Sequence, residues 1–127
     1  MLFRSVMTND TFIRTKLDPI RFRGADVCYV SYGILPSDVP TPKSALFPPI
    51  ELVVEVRSPS DSMTEMAAKA LEYLEAGVMV VVVLDPNADA ASVFRTDLPI
   101  QRFQDTDKLT LPDILPGFSV QVSKLFE

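Results

Sequence analysis

Hydrophobic and polar positions alternate in short runs along much of the chain, and these runs predict strands. Residues 26–31, DVCYVS, place Val27, Tyr29 and Ser31 on one side of an extended segment. Residues 50–57, IELVVEVR, put Glu51, Val53, Glu55 and Arg57 on one face and Leu52, Val54 and Val56 on the other. The period then becomes helical over about residues 62–76. Met63, Ala67, Ala70, Leu71, Leu74 and Val78 trace an apolar stripe, Ser62 and Glu65 have the spacing of a capping box, and Gly77 is a natural stop. The following VMVVVVLDP is unbroken and β-branched, the pattern of a central strand covered on both faces. Residues 85–89 read as a turn, 92–96 as a return strand, and 100–103 and 108–111 as two shorter strands. Residues 114–118 read as a turn that leads into a packing segment with Val120, Val122, Leu125 and Phe126.

A strand–helix–strand unit over residues 50–84 implies a parallel, right-handed crossover, and the other pairs are expected to be antiparallel. The expected fold class is α/β (α+β), a mixed β-sheet flanked by few helices. At 127 residues the chain has the length of a single domain, 1–127. Prolines 36, 40, 42, 48 and 49 mark a stiff connector between the first two strands. The longest apolar run, residues 78–84, is far short of the roughly 20 residues that span a bilayer, and the N-terminus lacks a signal-peptide pattern. The expectation is a cytoplasmic protein without membrane contact.

Composition narrows the chemistry. The chain has no His and one Cys, Cys28. Serine–histidine and cysteine–histidine catalysis, histidine-containing zinc sites and an intrachain disulfide are excluded. Carboxylates, Lys, Arg, Tyr and Ser remain, with or without a hard metal. Cys28 reads as a small core residue, and Asp85 before Pro86 as turn chemistry. The net charge of −5 argues against wrapping duplex DNA by bulk charge. The charge is uneven, however. Residues 1–23 carry five basic and two acidic side chains, a balance of +3, and the rest carries seven and fifteen, a balance of −8. The basic part reads either as a charge-blunted edge strand or as a polyanion contact, with Arg21 and Arg23 as candidates for a phosphate backbone.

One residue does not fit its strand. Glu55 lies inside an apolar run, and a buried carboxylate is costly unless it is paired, protonated or metal-bound. Either the strand is an edge whose Glu face meets water, or Glu55 has a task. Strand-borne Asp26 and Glu55 could converge on one divalent cation, which takes oxygen ligands. An ammonium from Lys69 on the next helix could then assist a metal-bound water. The competing reading of Lys69 is one half of an exposed pair with Glu65.

The segments ADVCYVS, PPIELVVEVRSPSD, KALEYLEAGV, VVVLDP and ILPGF, in that order, resemble the Uma-type family of restriction-endonuclease-like proteins, in the PD-(D/E)XK nuclease superfamily. The resemblance covers about residues 21–126. It implies a restriction-endonuclease-like fold and an endonuclease that hydrolyses nucleic acid, DNA first, with Mg²⁺, or Mn²⁺ as substitute. By the same resemblance Asp26 and Glu55 would be catalytic carboxylates and metal ligands, and Val56 would lend its backbone carbonyl. The usual ExK lysine position holds Arg57, so the lysine would come from the helix as Lys69. Ser58 and Ser60 match a segment that orients the helix start. Ala25 stands where the family often has Pro, and Glu51 where it often has Asp. Residues 1–20 match no N-terminal helical segment of the family, which implies an N-terminally truncated member. An incompletely covered sheet, and the two cuts a duplex needs, point to a homodimer. The alternative is an inactive homologue acting as a binding or oligomerisation module.

Overall fold

The computed structural model describes residues 4–17, 20–31 and 49–127. The proline-rich connector lies outside the described residues except for Pro49. Six strands form one sheet in chain order: β1 (Arg4–Leu17), β2 (Ile20–Ser31), β3 (Ile50–Val56), β4 (Val78–Asp85), β5 (Ala90–Arg95) and β6 (Gln101–Gln104). Only β3 and β4 pair in parallel, and helix α1 (Met63–Ala76) joins them. The other four pairings are antiparallel. This is the mixed sheet with one main helix that the hydrophobic pattern predicts.

The apolar residues divide between the two faces. Val53, Val81, Val83 and Phe94 pack under Met66, Ala70 and Tyr73 of α1. Leu52, Val80, Val82 and Val93 pack on the opposite face beneath Leu109, Leu111, Ile114 and Val122. Val80, Val81, Val82 and Val83 are therefore all fully buried, as a central strand with two covered faces requires. Ser62 caps the start of α1 by accepting the Glu65 N–H, and Gly77 closes it at φ 113°. No helix among the described residues is long and apolar enough to cross a membrane.

Four expectations change. First, residues 26–31 are only the second half of β2. Its first half, IRFRG, pairs with β1 as a hairpin. β1, the basic segment, is the end strand of the sheet. Second, β3 is no edge. It lies third of six, bonded to β2 and β4, and the edge reading of Glu55 fails. Third, the helix stripe is rotated from the expected one. Leu71 is 54% exposed, whereas Glu72 and Tyr73 are buried, because the face under Met66, Ala70 and Tyr73 follows the i, i+4, i+7 spacing. Fourth, residues 114–118 do not simply turn. β7 (Lys108–Leu111) and β8 (Leu115–Gln121) form a separate hairpin, which with a short 3₁₀ helix (Val122–Phe126) covers the face away from α1. Gly117 sits at φ 83° close to a register shift, a conformation that suits glycine and lets a Pro-Gly segment remain in a strand.

Candidate active site

The site is built by strand register. β2 and β3 are antiparallel, with Val27 opposite Val54 and Cys28 opposite Val53. Continuing this register by one step sets Asp26 across from Glu55, and the two carboxyl groups are close enough to act on one another. Directly opposed side chains in such a pair have Cβ atoms about 5 Å apart. Both carboxylates turn to the α1 face, where Cys28 and Val53 are buried. Asp26 is locked to the neighbouring strand by accepting the Val56 N–H on Oδ2 at 2.8 Å.

Glu55 is 3% exposed. Two side chains one helical turn apart on α1 reach the same oxygen. Tyr73 donates its hydroxyl to Oε1 at 2.8 Å, and the Lys69 ammonium lies 3.3 Å from it. Burial, opposed by the Tyr73 hydroxyl and the Lys69 charge and helped by nearby Asp26, raises the Glu55 carboxyl to about 7. Burial also drives the Tyr73 phenol far above its ordinary range, so it remains a donor. The Lys69–Glu65 pair is not formed. Glu65 instead accepts from Ser62 Oγ, which in turn accepts the Glu65 N–H at the helix start.

Arg57, in the place of the usual lysine, is committed elsewhere. It donates to the Asp61 carbonyl at 2.9 Å and pairs with Asp85 at 3.1 Å. Asp85 also accepts the Asn87 N–H, which is its turn role. Ser58 donates to the Asp61 carboxylate at 2.7 Å and lies 3.1 Å from Ser60, bracing the approach to Ser62. Glu51 accepts the Ser31 N–H across the β2–β3 gap. Cys28 is fully buried, and burial raises its thiol to about 11, leaving it an inert core residue.

Asp26, Glu55, Val56 and Lys69 line one open cleft of about 660 Å³, together with Arg21, Arg23, Ser58, Asp61, Glu65 and Glu72. The structure brings together all four residues that the sequence singles out. It adds three that sequence reasoning missed: Tyr73, Glu72 and Thr15. Glu72 accepts from Arg23 at 3.0 and 3.1 Å and from the Thr15 hydroxyl, and pairs with Arg21 at 3.2 Å. The available signal was the spacing Lys69–Glu72–Tyr73, which puts three polar groups on one side of a helix otherwise packed on the sheet.

No group of three or more His, Cys, Asp or Glu side chains that could hold a metal occurs among the described residues. The donors on offer are two carboxylates and a strand backbone, all oxygen. This set suits a cation such as Mg²⁺, which is held by one or two carboxylates and keeps several waters. Two facing carboxylates in a partly dry cleft, one with its proton affinity raised by burial and further by the other, are an arrangement a cation would relieve.

A large mixed sheet with one crossover helix is the fold of the restriction-endonuclease-like class, whose nucleases generally use divalent metals. The chain belongs to the Uma2 family, described as "Putative restriction endonuclease", whose profile matches residues 4–123. Its fold is similar to that of "a putative nuclease belonging to DUF820 from Anabaena variabilis ATCC 29413", with a TM-score of 0.79 and 14% identity. The similarity covers 98% of this chain and 68% of that one. No curated protein matches the chain. The family supports a nuclease role, and with it nucleic-acid binding.

Proposed function

We propose that the chain is a divalent-metal-dependent endonuclease that hydrolyses phosphodiester bonds of DNA, with Asp26, Glu55 and Lys69 as its catalytic residues. The observation that carries this reading is the convergence of Asp26 and Glu55 from neighbouring strands on the cleft where Lys69 meets Glu55.

Asp26, Glu55 and the Val56 carbonyl would hold Mg²⁺, or Mn²⁺ in its place. When bound, the ion supplies positive charge for the phosphate and lowers the pKa of a coordinated water. The protein's own groups do the rest. The Val56 N–H fixes Asp26, and Tyr73 fixes Glu55, so both carboxylates are preorganised by neutral donors. Lys69 favours the ionised form of Glu55 and brings an ammonium to the cleft, where it can stabilise charge developing on the phosphate.

The test is cleavage of supercoiled plasmid and of single-stranded DNA with Mn²⁺. The expected result is metal-dependent cutting that falls at least about 100-fold in Glu55→Gln and in Lys69→Met, the size typical of removing a preorganised electrostatic group. Equal cutting by Glu55→Gln would overturn the proposal. A second reading, an inactive module of the same fold, draws on one observation. The Glu55–Lys69 ion pair already satisfies this carboxylate without a metal. Titration with Mn²⁺ followed by electron paramagnetic resonance separates the two: a nuclease site binds the ion and loses it in Glu55→Gln, and an inactive module binds none.

A further inference from the structure

Beside the paired carboxylates the cleft carries a second polar cluster to which the hydrolytic chemistry gives no task. Its centre is Glu72, buried on α1. Oε2 accepts from the Arg23 Nε and the Thr15 hydroxyl, Oε1 accepts from Arg23 Nη2, and Arg21 Nη1 forms an ion pair with Oε1 at 3.2 Å. One carboxylate thus holds two guanidiniums side by side and ties β1, β2 and α1 together. The cluster carries one net positive charge. It is not closed off: the side chains of Arg21 and Arg23 are 47% and 31% exposed, and both line the cleft with Asp26 and Glu55. Arg21 gives only one nitrogen to Glu72, and one terminal nitrogen of Arg23 is likewise uncommitted among the described residues.

The backbone explains how these arginines reach the same cleft as Asp26. Strict alternation along β2 would put odd and even positions on opposite faces. Ala25 and Cys28 nevertheless both belong to the cluster under α1. The alternation breaks between them, opposite the register shift at Thr8/Thr11 on β1. Such irregularities re-aim side chains, and here one brings Arg21, Arg23 and Asp26 to a common side.

Resting on the nuclease reading of the cleft, we infer that Arg21 and Arg23, held by Glu72, form a clamp for a backbone phosphate of the DNA strand, separate from the phosphate that is cut. The spacing supports a separate phosphate. Three residues of strand put the Cα atoms of Arg23 and Asp26 about 10 Å apart. A paired, preorganised guanidinium site suits a phosphate diester, whose oxygens accept parallel N–H bonds. It also gives an acidic chain a local means of holding a polyanion.

The test is equilibrium binding of a fluorescent DNA duplex in EDTA, where no cutting occurs, followed by anisotropy over a range of salt. Arg21→Gln is the first variant, because Arg21 is half exposed and makes a single ion pair. The expected result is roughly three- to tenfold weaker binding at about 0.1 M salt, and a slope of log K against log salt that is shallower by about 0.9. Arg21→Lys should restore the slope. Arg102→Gln, on β6 at the other end of the sheet, is the charge-matched control and should leave affinity and slope unchanged. If Arg21→Gln binds with wild-type affinity and slope, the clamp is wrong and the cluster is only a brace. If Arg102→Gln weakens binding as much, the attraction is diffuse and the clamp is again wrong. If the wild-type chain binds no duplex, the clamp and the nuclease reading fall together. Plasmid cutting by wild type, beside an unchanged Arg21→Gln titration, sinks the clamp alone.

Discussion

Glu72 and Glu55 are both buried acids on the α1 side of the sheet, yet their surroundings push them in opposite directions. Hydrogen bonds from Arg23, then from Thr15, hold Glu72 down at about 2 against the cost of burial, whereas burial takes Glu55 up to about 7. The depressed value has a definite consequence for stability. Glu72 ionises more readily folded than unfolded, so its pairing stabilises the fold fully above its ordinary value near 4.5. That contribution is lost as pH falls from there toward about 2. After screening by solvent at the half-exposed Arg21, it is on the order of 2–3 kcal/mol. Urea unfolding between pH 7 and pH 3 should therefore show wild type losing more stability than Glu72→Gln, with the gap closing at the acid end. Parallel pH profiles for the two proteins would show that the cluster contributes nothing through ionisation.

At the scale of the element, α1 presents the site, and its two ends fix where Lys69 and Tyr73 fall. The C-terminal end rests on Gly77, at φ 113° with its N–H bonded back to the Leu74 and Tyr73 carbonyls. A side chain there meets the backbone in a region that L-residues avoid. Gly77→Ala should cost about 1–2 kcal/mol. In a chain of this size that lowers the melting temperature by roughly 3–8 °C, as thermal unfolding would show. An unchanged melting temperature would mean that the cap relaxes freely. This element was legible in the sequence, because Ser62, Glu65 and Gly77 are local signals whose partners lie within a few residues. So were β3 and β4, whose β-branched runs need only burial. The Asp26–Glu55 meeting was suggested by a family resemblance, and its geometry depends on the register between strands that lie more than 20 residues apart. The Glu72 cluster was not legible at all. Thr15, Arg21, Arg23 and Glu72 come from three elements, and no periodic pattern links them. The break in alternation between Ala25 and Cys28 hid the arginines further, since strict parity would have sent them away from Asp26.

At the scale of the whole molecule, the proposed nuclease activity makes the end of the sheet the feature that would decide how many strands of DNA one particle can cut. On that reading a single cleft with one pair of carboxylates would hydrolyse one phosphodiester at a time, so a duplex break would need either two successive visits or two clefts in one assembly. β1 ends the six-stranded sheet, and among its described side chains Val6 and Phe12 are largely exposed. A long end strand with exposed apolar groups tends to pair with another chain unless it is covered. The homodimer expected from the sequence is therefore proposed to form through β1, with one cleft per copy. Light scattering behind size exclusion should give twice the chain mass, and a charge placed on the strand by Val6→Glu should return it to the monomer without unfolding it. The products of plasmid cutting should change in step. The dimer should give linear DNA with little nicked circle in between, and Val6→Glu should accumulate nicked circle first, because each monomer then cuts one strand per encounter. A wild-type chain that stays monomeric at all concentrations and still yields linear DNA directly would rule out this assembly. It would require one cleft to serve both strands before releasing the duplex.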